Sequence, residues 1–358
     1  MVIKFLEAGK GDCFLISFID DANNKRNILI DGGVSRTYYD STHNRNGELK
    51  LEIDKIKENK EQIDLLILTH IDEDHICGLL KWFEMDEKAH EVVKDVWFNS
   101  GKLIADYLSE PENPDLQLGL NIFNSPYTSV SQAINFEEYL LNNNIWERKI
   151  IKEGTNIRQS GVDIKVLSPN DEQLKKLLKE YKKKTGDLAY TSGKSKDWHK
   201  SFKELIEDEK ENYVEPKDGS LPNQSSISFI LTVENKSFLF SADAPSEQIV
   251  KALDVLGYSK ESPLEVEFMK VSHHGSQNST SNELLEIIKT NNYLISTDSS
   301  GHAHPDKRTL ARILRFNPNA FFHFNYEGVK AGVISTQDWD DFKGLKASCT
   351  KEFPYGAK

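Results

Sequence analysis

The chain has 358 residues, of which 28% are charged and 38% hydrophobic, a balance that allows a sizeable core in one large domain or two smaller ones. Its formal net charge of −12 argues against broad electrostatic adhesion to nucleic acid or anionic membranes, although it leaves room for a local basic groove. Cys13, Cys77 and Cys349 are widely spaced, which indicates a reducing compartment. Without a signal peptide or a membrane-length apolar run, we expect a soluble, cytoplasmic protein.

Closely spaced strands open the chain. We expect strands at residues 2–6, 13–18 and 27–30, joined by polar or glycine-rich turns. The third strand ends at Asp31, and the two glycines after it allow close approach of the backbone. Asp31 is either a functional carboxylate or an ordinary turn residue. This antiparallel start is unlike a dinucleotide-binding fold, which opens with a βαβ unit.

The next strand leads to the densest group of candidate metal ligands. A polar helix is expected at 54–62 and a buried strand at 65–68. The strand continues into Thr69-His70-Ile71-Asp72-Glu73-Asp74-His75, so two imidazoles and three carboxylates fall within six residues. Apolar residues then repeat at helical spacing, which places Asp74 and His75 near a helix N-terminus. Histidine and aspartate together suit Zn²⁺ or Mn²⁺, whereas the alternative is a solvated acidic loop with two incidental histidines.

The chain changes character at residue 171. Before it, we expect a strand at 92–98, a short helix at 104–108, an irregular stretch at 109–127 and a strand at 162–167. Residues 171–180 have the pattern of a Lys-rich amphipathic helix, and 182–220 are very polar. We interpret 171–220 as an insertion, partly helical and mobile, which is either solvated surface or a lid or partner contact.

Strands in the C-terminal half also end in polar motifs. Strands at 226–233 and 237–240 lead to Ser241-Ala242-Asp243, which precedes an amphipathic helix. A strand at 266–271 ends at Ser272-His273-His274-Gly275-Ser276, and one at 293–296 leads to His302 and His304. Helices at 284–288 and 308–314 and closing strands at 321–324 and 333–335 complete the predicted elements.

The polar motifs share one position, the end of a strand. Each has an ordinary explanation: Asp243 as a helix N-cap before Pro245, His273 as a hydrogen-bonded core histidine, His304 as a turn residue before proline. Coincidence at every strand end is much less expected than a common site.

These motifs, in this order, resemble the metallo-β-lactamase fold superfamily, and more closely the hydrolase domain of the ComEC competence protein and its free-standing relatives. The resemblance rests on residues 5–12, 28–33, 69–75, 241–243, 272–276 and 304–305. It implies an α/β fold, an αββα sandwich, formed by a single hydrolase domain over 1–358 with the polar insertion at about 171–220. It also implies a dinuclear site for two divalent metal ions, Zn²⁺ or Mn²⁺.

The resemblance also implies roles for individual residues. His70 and Asp72 match ligands of the first metal, and Asp74 and His75 match ligands of the second. Asp243 matches the bridging carboxylate and His273 a further ligand of the second metal. Asp74 is also the candidate for orienting the nucleophilic water, and His304 for stabilising the transition state or protonating the leaving group. The remaining polar residues would lie behind the ligands or face the substrate, namely Asp12, Asp31, His274 and His302.

Two departures from the common pattern matter. Most of the superfamily has histidine where this chain has Asp72, and the ComEC-type branch resembles this chain there, which makes Mn²⁺ more credible beside Zn²⁺. The histidine that usually completes the first site has no match, because its region reads Asn223-Gln224-Ser225-Ser226.

The function expected is that of a metal-dependent phosphodiesterase, most readily a nuclease, with nucleic acid or another phosphodiester as substrate. One alternative is a hydrolase of another ester, a lactam-like acyl bond or a small nucleotide on the same fold. A second is a binding or scaffolding protein that has kept the fold. A third is a toxin or defence effector gated by a protein partner through 171–220. ComEC's membrane channel is absent, so DNA uptake is not implied, and no membrane partner is expected.

Overall fold

The structure is a computed structural model that describes residues 1–109, 129–159, 161–182 and 197–355. Nearly all of the predicted irregular stretch at 109–127 lies outside these residues. The contacts within the chain divide it into two compact units. The first unit comprises the described residues of Met1–Lys152, Pro169–Thr191 and Glu352–Lys358. The second comprises Glu153–Ser168 and Ser192–Lys351. The single hydrolase domain with an insertion stays a prediction.

The described strands are β1 (Val2–Phe5), β2 (Phe14–Ile19), β3 (Lys25–Ile30), β4 (Tyr39–Asp40), β5 (Arg45–Asn46), β6 (Leu65–Ile67), β7 (Val96–Trp97), β8 (Asn156–Gln159), β9 (Val162–Ser168), β10 (Ser228–Val233), β11 (Lys236–Phe240), β12 (Leu264–Glu265), β13 (Met269–Lys270), β14 (Ile288–Lys289), β15 (Asn292–Ile295), β16 (Phe321–Phe324), β17 (Lys346–Cys349) and β18 (Glu352–Pro354).

The described helices are α1 (Ser35–Tyr38), α2 (Glu48–Glu58), α3 (Glu73–Met85), α4 (Ala89–Val92), α5 (Gly101–Tyr107), α6 (Ser129–Asn143), α7 (Asp171–Lys182), α8 (Phe202–Glu211), α9 (Leu221–Gln224), α10 (Ser246–Val255), α11 (Asn282–Ile287), α12 (Lys307–Phe316), α13 (Glu327–Val333) and α14 (Thr336–Asp341), with short 3-10 turns at Asp197–His199 and Ser272–Gly275. In the parts of the chain that the structure describes, no helix has the length and apolar character of a membrane span.

The first unit is built on a six-stranded sheet in the order β18-β1-β2-β3-β6-β7. Its β1, β2 and β3 are antiparallel neighbours, and the Phe5 and Phe14 rings stack across the first pair with centroids 4.9 Å apart. From β3 onward the pairing is parallel, through β6 to β7. Because β3 and β6 are parallel neighbours, the residues that follow them, Asp31 and His70, leave the sheet at the same edge.

Helices α2 and α3 bury apolar faces in the core of the first unit. Helix α2 begins at Glu48 and ends at Glu58, so the prediction of a helix at 54–62 was wrong in its boundaries. Its buried side chains, Leu49, Ile53 and Ile56, repeat at helical spacing, and the helix begins six residues earlier than predicted. Helix α3 begins at Glu73, which confirms that Asp74 and His75 lie in a first helical turn.

The second unit is built on an eight-stranded sheet in the order β17-β16-β15-β13-β11-β10-β9-β8. Five neighbouring strands of this sheet run parallel to one another, namely β11, β13, β15, β16 and β17. Asp243 follows β11, His273 follows β13 and His304 follows β15 after a longer loop. Three adjacent parallel strands therefore deliver these motifs to one sheet edge, as the strand-end pattern predicted. Each main sheet is accompanied by helices, which confirms the α/β class.

Two predicted strands of the second unit were wrong. Residues 266–271 form only the short β13, because β12 just before it pairs with β14 and not with the main sheet. Residues 333–335 are not a strand: Val333 ends helix α13 with its side chain buried, and Ser335 caps helix α14 in a capping box with Asp338. The strand that closes this side of the sheet is β17.

The described part of 171–220 is partly helical, as predicted, and it contributes to both cores. Helix α7 buries Leu174, Leu177 and Leu178 in the core of the first unit. Helix α8 buries Phe202 and Leu205 in the core of the second. These apolar faces anchor a stretch whose composition is otherwise highly charged.

Candidate metal centre

The glycine-rich turn after β1 packs against the first turn of α3. A Cβ added to Gly11 would lie 1.6 Å from the carbonyl oxygen of Asp74, so only glycine allows this approach. The backbone N–H of Asp12 donates to the same carbonyl at 3.3 Å. Asp12 is buried, and its carboxylate, that of Asp31 and the His75 ring each offer a ligand atom within 4.8 Å of one another.

Asp31 is the buried carboxylate around which the histidines of the first unit are arranged. It has φ = +56°, a left-handed conformation that aspartate tolerates better than most residues. Its Oδ1 accepts the Thr69 backbone N–H at 2.8 Å, and its Oδ2 accepts the Thr69 hydroxyl at 2.8 Å and faces His75 Nδ1 at 2.8 Å. Burial raises the pKa of the Asp31 carboxyl, and the neighbouring His75 opposes this shift.

These contacts fix the tautomers of both histidines in the first unit. His75 Nδ1–H donates to Asp31, so the lone pair of the neutral ring is on Nε2. The Thr69 hydroxyl already gives its proton to Asp31, so at 3.1 Å it accepts from His70 Nδ1–H. Asp31 therefore orients His75 directly and His70 through Thr69. The two rings lie with centroids 4.0 Å apart.

The aspartates of the motif lie at the N-terminus of α3. Asp72 is the N-cap residue, yet within the described residues its side chain makes no capping hydrogen bond to the helix. One of its oxygens lies 3.7 Å from His70 Nε2. Asp74 lies in the first turn, where the positive end of the helix dipole favours carboxylates. The first unit thus brings together Asp12, Asp31, His70, Asp72, Asp74 and His75.

In the second unit, Asp243 is the buried carboxylate at the centre of the cluster. Its Oδ2 lies 3.3 Å from His274 Nε2 and 3.9 Å from His273 Nε2. Its Oδ1 lies 3.5 Å from the ammonium of Lys270, which is itself only 1% exposed. Lys270 also donates to the carbonyl of Ala242 at 3.0 Å.

Both histidines of the Ser272–Gly275 turn are held through Nδ1. His274 Nδ1–H donates to the Ser296 carbonyl at 2.9 Å, which leaves the lone pair on the Nε2 that faces Asp243. His273 Nδ1 lies 2.8 Å from Asp218 Oδ2. Burial lowers the pKa of His273, but the carboxylates of Asp243 and Asp218 outweigh it and raise the pKa overall.

His304 lies beside this cluster, and His302 lies farther out. The His304 and His273 ring centroids are 5.1 Å apart, and those of His302 and His304 are 6.0 Å apart. Burial, followed by the neighbouring imidazoles, holds the pKa of His304 well below its usual value. The loop that carries His304 is held by Trp198, whose indole N–H donates to the Pro305 carbonyl at 2.8 Å.

A comparison of the sequence with protein families bears directly on the first unit. The model of the metallo-beta-lactamase superfamily matches residues 6–127. The match confirms the superfamily and the fold that the motifs predicted, whereas the ComEC-type branch stays a prediction. No curated protein matches the chain.

Several solved structures show weak similarity to the chain. An isothiocyanate hydrolase from Delia radicum gut bacteria is 12% identical over 100% of both chains, with a TM-score of 0.39. CmlA, a diiron beta-hydroxylase from Streptomyces venezuelae, is 12% identical over 98% of this chain and 53% of its own, with a TM-score of 0.40. A Cronobacter sakazakii metallo-beta-lactamase with a HARLDQ motif is 10% identical over 70% of this chain and 67% of its own, with a TM-score of 0.28. All three TM-scores are below 0.5.

The donor set fits divalent metal ions of the kind that the metallo-beta-lactamase superfamily uses. In all four motif histidines an oxygen atom faces Nδ1, so Nε2 carries the lone pair that a metal requires. Aspartate carboxylates accompany them in each unit. Imidazole nitrogen and carboxylate oxygen together suit Zn²⁺ and Mn²⁺.

Sequence reasoning missed three residues that contact the motif residues within their own units. Thr69 relays the Asp31 hydrogen bond to His70, Lys270 contacts Asp243, and Asp218 contacts His273. Lys270 carried a signal, since it is a charged residue between the apolar residues Met269 and Val271. Asp218 carried none, because it lies in a run of charged residues with no motif.

Proposed function

We propose that this protein is a metal-dependent hydrolase that cleaves phosphodiester bonds, with nucleic acid as its substrate. The observation that carries the proposal is the common orientation of His70, His75, His273 and His274, each with an oxygen at Nδ1. Metal-binding histidines almost always donate their second ring N–H in this way. An incidental group of surface histidines would not share one orientation.

Under this proposal, the ligands of two divalent ions are drawn from His70, Asp72, Asp74, His75, Asp243 and one histidine of the Ser272–Gly275 turn. The sequence resemblance favours His273 for the last position. The distances favour His274, because its Nε2 is 3.3 Å from Asp243 Oδ2, whereas that of His273 is 3.9 Å away. Metal content of His273→Ala and His274→Ala variants distinguishes the two.

Two bound divalent ions would lower the pKa of a water molecule and offset the negative charge of a phosphate next to the carboxylates. Asp74 would orient the attacking water. Because burial holds the pKa of His304 low, its ring is neutral near pH 7 and would stabilise the transition state as an N–H donor. Protonation of the leaving group by His304 would require the negative charge of a bound phosphate to raise that pKa. What supports a phosphodiester over other esters is Asp72, which stands where most of the superfamily has histidine and where the ComEC-type branch has aspartate.

A nucleic-acid path along the lysines of 171–184 is part of the proposal. Lys175 is exposed on α7, and Lys176 pairs with Glu172 at 2.7 Å one helical turn away. The remaining side chains, those of Lys182, Lys183 and Lys184, lie outside the described residues. A protein partner at 171–220 stays a prediction.

The test is a hydrolysis screen of the full-length protein with Mn²⁺ and Zn²⁺. Substrates are single- and double-stranded DNA and RNA, a small aryl phosphodiester, a phosphocholine ester and a lactam. We expect cleavage of polynucleotide and of the small phosphodiester. Cleavage of the phosphocholine ester or the lactam alone would replace the nuclease proposal with the alternative hydrolase, and metal binding without any turnover would favour a binding protein.

Elemental analysis supplies the matching test of the metal site. We expect up to two divalent ions per chain, and loss of metal and of hydrolysis in His75→Ala and Asp243→Asn. The control is His43→Ala, since the His43 side chain is 68% exposed on the β4–β5 hairpin. Unchanged metal content in both site variants would overturn the assignment.

A further inference from the structure

Asp218 lies in the charged stretch before α9 and reaches the His273 ring. We propose that Asp218 is a positioning residue of the site, which holds His273 in the orientation and tautomer that present Nε2. The functional consequence rests on the proposed hydrolase, whereas the contact itself does not. Neither the motifs nor the superfamily match assigns a role to this residue.

Hydrogen-bond donors surround the Asp218 carboxylate and stabilise its ionised form. Its side chain is 7% exposed. Oδ1 accepts the Ser220 backbone N–H at 2.9 Å, while Oδ2 accepts from Asn223 Nδ2 at 2.9 Å and from the Ser279 hydroxyl at 3.2 Å, and faces His273 Nδ1 at 2.8 Å. An acceptor already in contact with other donors strongly favours the N–H form of the ring nitrogen that it meets.

Hydrogen bonds within the loop from Asp218 to Gln224 fix its conformation, so the position of the Asp218 carboxylate is also fixed. Ser220 caps α9 by accepting the Asn223 N–H, and the Gln224 side chain donates to the Asp218 carbonyl at 2.9 Å. These contacts come from residues that follow Asp218 in the chain. They preorganise the carboxylate before any ligand arrives.

The Asn223 side chain supports the Asp218 carboxylate. Its region is where the superfamily usually supplies a histidine. Here the amide nitrogen of Asn223 lies 2.9 Å from Asp218 Oδ2 and 3.2 Å from His273 Nδ1. An amide nitrogen has no lone pair to give a metal, so Asn223 serves as a donor to Asp218. The loop thus gives the neighbouring histidine a hydrogen-bonded support.

The arrangement repeats the chemistry found separately in the first unit. There, Asp31 is 2.8 Å from His75 Nδ1, as Asp218 is from His273 Nδ1 in the second unit. Carboxylates of this kind raise the basicity of the imidazole and fix its plane, and their removal costs 10–100-fold in metal affinity or activity in known metal sites.

The test compares Asp218→Asn and Asp218→Ala with the wild type in the metal-free, full-length protein labelled with ¹⁵N-histidine. Nitrogen chemical shifts report which ring nitrogen carries the proton, and His273→Gln identifies the His273 signals. We expect His273 to be protonated on Nδ1 in the wild type. In Asp218→Asn the amide NH₂ faces Nδ1, so the proton should move to Nε2, and in Asp218→Ala both tautomers should appear.

The matched control is Glu207→Gln, which removes a negative charge from the same stretch at an exposed residue paired only with Lys210 among the described residues. It should leave the His273 tautomer unchanged. If His273 keeps the Nδ1 proton in Asp218→Asn, or loses it in Glu207→Gln, the proposal is overturned. Because Asn has the size of Asp, Asp218→Asn keeps the test valid should the alanine variant fail to fold.

The metal-loaded protein gives the functional consequence. With the small phosphodiester, we expect Asp218→Asn to lower kcat/KM or metal affinity by about 10–100-fold, and Glu207→Gln to leave both near wild type. Absence of hydrolysis in the wild type would overturn the proposed function while leaving the tautomer result intact. An unchanged kcat/KM and metal affinity in Asp218→Asn would overturn the role of Asp218 even in an active enzyme.

Discussion

Replacing Asp31 by asparagine tests the proposal that one buried carboxylate sets the state of two histidines. Asparagine keeps the size of the side chain and tolerates the left-handed φ of +56°, so the backbone conformation is retained. Its carbonyl oxygen can still accept the Thr69 backbone N–H. Its NH₂ group, however, takes the place of Oδ2, which meets the Thr69 hydroxyl and His75 Nδ1.

The expected magnitudes follow from these contacts. Loss of a hydrogen bond to a charged group costs about 1.5–3 kcal/mol, and His75 recovers part of it by moving its proton to Nε2 and accepting from the amide. We therefore expect the free energy of unfolding of the metal-free protein to fall by about 2 kcal/mol. The proton on Nε2 then occupies the lone pair that the metal needs, so metal affinity should fall by at least about 10–100-fold.

Urea unfolding of metal-free protein and competitive metal titration measure the two effects separately. The control is Asp40→Asn, because Asp40 also pairs with a histidine, His43, at 2.9 Å and accepts two backbone N–H groups, but on an exposed hairpin. It should leave metal affinity unchanged. Wild-type metal affinity in Asp31→Asn would refute the reasoning, whatever its stability.

Three further predictions concern other parts of the chain. The His304→Ala variant should keep its metal and lose most hydrolysis, as measured by elemental analysis and turnover. His302→Ala is the control. Full activity of His304→Ala would show that His304 is only a turn residue. Burial lowers the pKa of His323 from 6.5 to about 4. The unfolded chain then binds more protons between these values, so stability should fall by at most about 3 kcal/mol as the pH drops from 6.5 to 4, and His323→Gln should flatten this part of the urea-measured profile. Replacing five lysines of 171–184 by glutamine should reduce hydrolysis of a long polynucleotide and leave hydrolysis of a small phosphodiester unchanged. The five are Lys175, Lys176, Lys182, Lys183 and Lys184. Equal effects on both substrates, or no effect on either, would weaken the nuclease proposal.

The elements that the sequence predicted well are those with a strong local pattern. Strands β1, β3, β6 and β10 were found close to their predicted positions, because apolar runs bounded by turn residues have few other conformations. Where two patterns compete, the prediction failed. Val333 and Ile334 look like a strand by composition, but Val333 completes a helical face and Ser335 starts the next helix.

The strand-end positions of the motif residues were predictable from the sequence, whereas the residues that support them were not. Asp31 and His70 follow parallel neighbours in the first sheet, and Asp243 and His273 follow parallel neighbours in the second. Position along the chain was therefore enough to place each pair at one edge of its own sheet. Asp218 is brought to His273 by a loop 55 residues away in sequence. No local pattern encodes such a contact, because it depends on how the loop closes in three dimensions.

Three residues around the Asp243 cluster have a strained backbone conformation. Ala242, His273 and His274 all have positive φ, at +46°, +47° and +54°, and a non-glycine residue there costs on the order of 1–2 kcal/mol. Such a conformation persists only where other contacts enforce it. Here the Ala242 carbonyl accepts both the His273 backbone N–H at 3.0 Å and the Lys270 ammonium at 3.0 Å. These bonds tie the loop of Asp243 to the turn of the histidines, so the strain is the cost of bringing a carboxylate and two imidazoles from different strands into one cluster. Since none of the three residues is glycine or asparagine, the sequence gives no sign of this geometry.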